Sequence, residues 1–410
     1  MPLDTTSSSD GQRVILRGRI VSDGDSLADG LVAIADGRIV HAGPASAFTD
    51  PAFDGVEPTP LPDGAILIPG LVDIHCHGGN GGDFPSGQED SARTAIDFLH
   101  RSGTTTLLAS MVTASREDLL HGIELYVGLT EEGLLAGIHL EGPFLSEARC
   151  GAQNPAFLLN PDLELAEELI LAANGKLRTM TYAPELPGAA ELVDLLTTHG
   201  VVPSLGHTDS DDPTAANSLA AARDGLAAAG FDGSTSRPTV THLFNGMRPI
   251  HHRDPGPVTA CLRAAQAGKA AVELVADNTH LDPQTTLTVF DLVGSANVLL
   301  VTDSMAAAGL SDGHYMLGPS PVTVAEGIAT LDATGSIAGG TATLLQVVQR
   351  TVAAGVPLAD AVRSATAVPA DVLGLDDEVG SLRRGLRADV VVLDADLQLQ
   401  RVLRNGEWLV

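Results

Sequence analysis

Eight short apolar runs alternate with Ala- and Leu-rich stretches through the middle of this chain, and that alternation limits the fold more than any other feature. The runs are GLVDIH, TTTLLAS, LAGIHLE, LRTMTYA, VVPSLGH, TVTHLF, AAVELVAD and NVLLVTD. Between them lie stretches with helical spacing, such as ARTAIDFLHRSG and PTAANSLAAARDGLAAAG. Strands read as continuous apolar runs when helices cover both faces of a parallel sheet. Eight such βα units predict an α/β protein built as a (β/α)8 TIM-type barrel. An open doubly wound sheet is the alternative. The count of eight and the placement of polar residues favour the barrel.

The 410 residues allow a large core and more than one domain. Aromatics are only 3%, so that core is made of Ala, Val, Leu and Ile. Both ends of the chain read as β: RVILRGRIV and LVAIADGRIVHAG lie around an Asp36-Gly37 turn, and ADVVVLDADLQLQRVLRNGEWLV around an Asn405-Gly406 turn. One small β domain assembled from the two termini follows. A formal net charge of −29 repels nucleic acid and anionic membranes, so neither is an expected partner, and an anionic substrate needs a local basic cluster. Three widely spaced cysteines imply no disulfide framework and a cytoplasmic setting. The opening MPLDTTSSSDGQ lacks the basic-then-apolar order of a leader, and no apolar run is long enough to span a bilayer.

The chemistry sits where the runs end. His75 and His77, Glu141, His207, His242, His280 and Asp303 all fall there, and five of the chain's 13 histidines are among them. In a barrel these strand ends open onto one face, so the groups converge. His75 and His77, two residues apart in DIHCHGG, project to the same side with Cys76 facing away. Converging imidazoles suit a divalent metal. Each residue also has an ordinary reading. The histidine pair caps a strand, and Asp303 caps a helix beginning at SMAAAG. The joint occurrence is what those readings explain poorly. His139 shares the Glu141 face one layer deeper and reads as a support for the ligands.

DIHCHGG, HLEGPFLSEARCGAQNP, SLGHT, THLFNGMRPIHHRDPG, VADNTH, LVTDSMAAAG and GSIAGGT together closely resemble the N-acetylglucosamine-6-phosphate deacetylases, a branch of the amidohydrolase superfamily. The resemblance covers nearly the whole chain. It implies a small β-sandwich from both termini, taken as residues 1–67 and 374–410, beside a catalytic barrel over 68–373. It implies one or two divalent metal ions per chain, most often zinc. Glu141, His207 and His242 match the main metal site, and Asp303 matches the catalytic aspartate. His75 and His77, absent from some branches, imply a second metal shared through Glu141 and touching Asp303. Asn245 and Gly246 match backbone contacts to the sugar phosphate, and Arg253 matches the phosphate-binding arginine. Ala152 and Gln153 match the loop over the sugar, with Gln153 standing where many members carry histidine. His280 matches a sugar-contacting histidine, and Ile337, Ala338 and Gly339 match the last substrate loop.

The implied reaction is metal-dependent hydrolysis of an N-acetyl group, with Asp303 moving the proton from water to the departing nitrogen. Arg248, His251, His252 and Arg253 form a basic cluster suited to a phosphate dianion. In related enzymes this loop reaches the neighbouring subunit's site, which implies a homodimer. Alternatives are an amidohydrolase for another N-acyl amino sugar, such as the galactosamine isomer, or for a cyclic amide, and a metal-stabilised sugar-phosphate-binding protein without catalysis. A carboxylated lysine bridge, as in dihydroorotase- or urease-like sites, is disfavoured because Lys176 and Lys269, the only lysines, lie outside the strand-end segments.

Overall fold

A computed structural model describes residues 13–230 and 236–410; the leader reading of the first twelve falls outside them. Eight parallel strands stand side by side in sequence order. They are β1 (Leu71–Asp73), β2 (Thr104–Val112), β3 (Gly137–Glu141), β4 (Leu177–Tyr182), β5 (Val202–Leu205), β6 (Thr239–Val240), β7 (Ala271–Leu274) and β8 (Val298–Leu300). The ladder is continuous from β1 to β8, and the remaining seam closes just past the strand ends. There the Asp303 amide donates to the His75 carbonyl at 2.9 Å, and the His77 amide donates to the Ser304 carbonyl at 2.7 Å. The Thr302 hydroxyl also donates to Asp73 Oδ2 at 2.7 Å. The barrel expectation therefore holds.

A helix follows each strand: α1 (Glu89–Arg101), α2 (Arg116–Glu131), α3 (Leu163–Ala172), α4 (Ala189–Thr198), α5 (Asp212–Ala229), α6 (Gly256–Gln266), α7 (Pro283–Val293) and α8 (Leu344–Ala353). Their starts are written locally. The side chains of Ser115, Asp162, Asp211, Asp282 and Thr343 accept first-turn amides that would otherwise lack partners. Several of their buried faces mix Ala with larger aliphatic residues, as in α1, α3 and α5. In α5 the buried side is Ala215, Leu219, Ala222 and Leu226, the spacing that keeps one helical face on the barrel.

The two termini build one further sheet of seven strands. Its spatial order is Glu407–Trp408, Leu399–Arg404, Val390–Leu393, Ile66–Pro69, Arg13–Ser22, Asp25–Ala35 and Arg38–Pro44. The Asp36-Gly37 and Asn405-Gly406 turns fall where the sequence puts them, and both residues of each have positive φ, as a two-residue hairpin requires.

Two local expectations need correction. The first barrel strand ends at Asp73, so His75 and His77 lie beyond it. A three-stranded antiparallel sheet, Gly313–Leu317, Ser320–Ala325 and Ile328–Leu331, also stands between β8 and α8, where the sequence reading has no strands. No helix among the described residues is long and apolar enough to cross a membrane.

Candidate active site

The C-terminal strand ends surround a cavity of about 220 Å³, lined among others by His77, Glu141, Gln153, His207, His242, His280 and Asp303. Three of these residues hold unusual backbone. His207, His242 and Asp303 have φ of +46°, +28° and +47°. Non-glycine residues rarely adopt this region, and such outliers concentrate where a structure fixes a side chain against local preference. Asp303 is not a helix cap, because residues 306–309 form a turn and α8 begins only at Leu344.

Two sets of ligand atoms converge: His75, His77 and Asp303 in one, Glu141, His207 and His242 in the other. In the first, the two Nε2 atoms are 3.2 Å apart, and Asp303 Oδ1 lies 3.5 Å and 3.2 Å from them. In the second, Glu141 Oε1 lies 2.9 Å from both His207 Nε2 and His242 Nε2. The two imidazole nitrogens are 3.1 Å apart. Glu141 joins the sets, since its Oε2 is 3.3 Å from His77 Nε2.

The donor set fits divalent cations. His75 Nδ1 faces Glu273 Oε2 at 3.0 Å, His77 Nδ1 faces the Ser110 carbonyl at 3.0 Å, and His207 Nδ1 faces the Arg149 carbonyl at 2.8 Å. Carboxylates and carbonyls only accept, so each Nδ1 carries the hydrogen and each Nε2 turns a lone pair inward. Lone pairs then meet one another and carboxylate oxygens at hydrogen-bond distance, which a bound cation resolves. Without one, burial opposes charge on these rings, but the carboxylates outweigh it. His75 and His207 are raised, and His77 is raised to about 9. Burial works against ionised Glu141 and Asp303 as well, yet the surrounding imidazoles hold both below the usual carboxylate range.

The amidohydrolase family model matches residues 66–409 of this chain. The chain belongs to the amidohydrolase family, in its N-acetylglucosamine-6-phosphate deacetylase branch. It is 31% identical to the N-acetylglucosamine-6-phosphate deacetylase of Bacillus subtilis (strain 168), over 94% of each chain. It is 29% identical to the N-acetylgalactosamine-6-phosphate deacetylase of Escherichia coli O157:H7, over 95% of this chain and 97% of that one. A solved structure of the D267A mutant of N-acetyl-D-glucosamine-6-phosphate deacetylase from Mycobacterium smegmatis, in complex with N-acetyl-D-glucosamine-6-phosphate, superimposes with a TM-score of 0.88. It is 37% identical, with 97% of this chain and 99% of that chain covered. The protein is thus an amidohydrolase enzyme. Neither of its two lysines lines the cavity.

The branch's expected substrate residues gather unevenly. Ala152, Gln153, Asn245, Gly246, Ile337 and Gly339 line the cavity with His280. Gly246, at φ +60°, could not carry a Cβ without bringing it 3.0 Å from His207 Nδ1, and a Cβ on Gly339 would meet the Asp303 carbonyl at 2.8 Å. Ala338 is buried behind the wall. Arg253 is exposed and does not line this chain's cavity. Its Nη1 lies 2.9 Å from His252 Nε2. The segment turns outward through a bridge between His251 and Asp254 and an Arg248–Asp254 pair at 3.2 Å. Gln153, read as a sugar contact, donates to Glu141 Oε2 at 2.7 Å and accepts from the Thr113 amide at 2.8 Å.

Four supporting residues escaped the sequence reading. Glu273 accepts from His75 Nδ1 and from the His242 amide at 3.1 Å. Asp277 accepts from His280 Nδ1 at 2.9 Å. Ser110 serves His77 through its carbonyl and His139 Nδ1 through its hydroxyl at 3.0 Å. Asp73 ties the seam. The carboxylates at 273 and 277 in AVELVAD carried a signal, because an acid inside a buried run needs a partner. His139 lies beneath the ligands as expected, its ring centroid 4.6 Å from that of His75.

Proposed function

We propose that this enzyme hydrolyses the N-acetyl group of N-acetylglucosamine 6-phosphate to glucosamine 6-phosphate and acetate, in amino-sugar catabolism or recycling. The observation that carries this reading is Asp303. It lines the cavity as a member of one ligand set, which Glu141 of the other set approaches through His77. A divalent metal, zinc in our reading, would be held by His75, His77, Glu141, His207, His242 and Asp303, and when bound would supply a Lewis acid and an acidified water. Asp303 takes the proton from the attacking water at a carboxylate oxygen and delivers it to the amine. His280 orients the sugar or the acetyl carbonyl through Nε2, which lies 3.9 Å from Asp303 Oδ2. Burial opposes charge on this ring, but Asp277 outweighs it and raises its pKa.

We assign Ala152, Gln153, Asn245, Gly246, Ile337, Ala338 and Gly339 to sugar and phosphate positioning. Arg253 is assigned to the phosphate in the neighbouring subunit's pocket of a homodimer, a role compatible with its outward exposure. The cysteines are free thiols, which supports a cytoplasmic setting. Acetate release from a panel of N-acetyl hexosamines, with and without 6-phosphate, tests the reading. N-acetylglucosamine 6-phosphate is expected to give the highest kcat/KM. The free sugar should be poorer by about one to two decades per lost charge-assisted contact. A higher constant for N-acetylgalactosamine 6-phosphate would reassign the epimer, and equal constants for phosphorylated and free sugars would overturn the phosphate role.

A further inference from the structure

At the opposite end of the barrel, where the strands begin, a second cavity of about 200 Å³ lies between the barrel and the terminal sheet. Three arginines line it: Arg178 at the start of β4, Arg404 from a terminal strand, and Arg387 from the segment before one. Their protein partners leave charge uncancelled. Arg404 donates to the carbonyls of Thr105 at 3.0 Å and Gly133 at 2.6 Å, and Arg178 donates to the Ala136 carbonyl at 3.2 Å. A carbonyl satisfies an N–H but neutralises nothing. Only Arg387 has a carboxylate, Asp389, while the lining Glu378 is paired with Arg38 at 2.7 Å. Four guanidinium charges therefore face two carboxylates.

Both terminal nitrogens of Arg178 and Nη1 of Arg387 and Arg404 have no protein hydrogen-bond partner among the described residues. The Thr106 hydroxyl already holds Arg387 Nη2 at 2.8 Å, fixing that fork at the rim. A surplus of two positive charges is unusual in a chain of net −29. It is felt nearby: burial, then Arg404 and Arg387, hold the buried His100 neutral. Guanidinium forks match tetrahedral oxyanions.

We propose that this cavity is a binding site for a small dianionic oxyanion, either inorganic phosphate or the phosphate group of an ester, which ties the barrel to the terminal sheet. The site is separate from the catalytic cavity and does not depend on the deacetylase reading. Equilibrium dialysis of the metal-loaded enzyme with labelled inorganic phosphate tests it. Wild type should bind one phosphate per chain more than Arg178→Gln/Arg404→Gln. Phosphate should raise the Tm of the wild type more than that of the double variant, with kcat/KM the same in both. Each lost contact should weaken this binding by about tenfold or more. Displacement by glycerol phosphate would identify an ester site, and its failure a free-ion site. Wild-type crystals soaked in tungstate give a readout that does not depend on the variant folding: an ion between the three arginines is expected. Equal phosphate stoichiometry in wild type and variant, or an empty cavity after soaking, would overturn the proposal.

Discussion

Glu273 shows how much of this site is made by residues that do not line its cavity. Its carboxylate receives the His75 Nδ1 hydrogen and the His242 amide, so it orients both ligand sets. Glu273→Gln keeps the shape but weakens the acceptor. Metal affinity should fall by about 10–100-fold, read as metal retained per chain after dialysis. Retention unchanged from wild type would make Glu273 a packing residue. Asp303→Asn instead leaves the fold and substrate contacts in place and removes the proton carrier. Turnover should drop by roughly 10²-fold or more while substrate binding persists. A near-wild-type rate would remove Asp303 from the mechanism.

Among the elements, the candidate ligands sit at the strand ends or just past them, Glu141 on the last residue of β3 and the histidines and Asp303 beyond their strands, while the helix starts hold the scaffold. Gly246→Ala places a methyl group 3.0 Å from His207 Nδ1 at a φ of +60°, against the ring that Arg149 orients. The expected result is loss of metal from the Glu141, His207 and His242 set, measured by elemental analysis, with the circular dichroism of the barrel retained. Thr343→Ala acts on the scaffold alone. Thr343 and Gln346 form a reciprocal capping box at α8. The variant should unfold about 1 kcal/mol more easily in denaturant, with kcat unchanged.

For the whole molecule, the joint between barrel and terminal sheet carries an acid-sensitive group. His100, at the end of α1, is buried with its Nε2 unpartnered. Burial, reinforced by Arg404 and Arg387, lowers its pKa from 6.5 to about 3. The unfolded chain takes up this proton near pH 6.5 and the folded chain only near 3, so the unfolded state holds more protons in between. The contribution of His100 to stability is therefore lost as pH falls through that window, by up to about 1.4 kcal/mol per pH unit. His100→Leu should flatten the fall in denaturation midpoint between pH 6 and pH 4. A parallel fall in wild type and variant would show that other groups govern acid unfolding.

The sequence by itself determined the barrel, because strands buried on both faces must be apolar runs and the helices between them keep their spacing whatever they pack on. It also determined the chemistry of the strand ends, since costly polar groups there need a shared reason to converge. His75 and His77 were legible through strand alternation, although the strand itself stops at Asp73. What only the tertiary structure decided were relations between residues far apart in the chain. Gln153 ends on Glu141 and Glu273 beneath His75, and Arg253 turns away from its own cavity. Arg178, Arg387 and Arg404 meet in one place because the C-terminal strands return to the beginning of the barrel. Local periodicity records which face of an element is buried. It does not record which distant side chain waits there, because that follows from how the closed sheet brings strand ends and termini together.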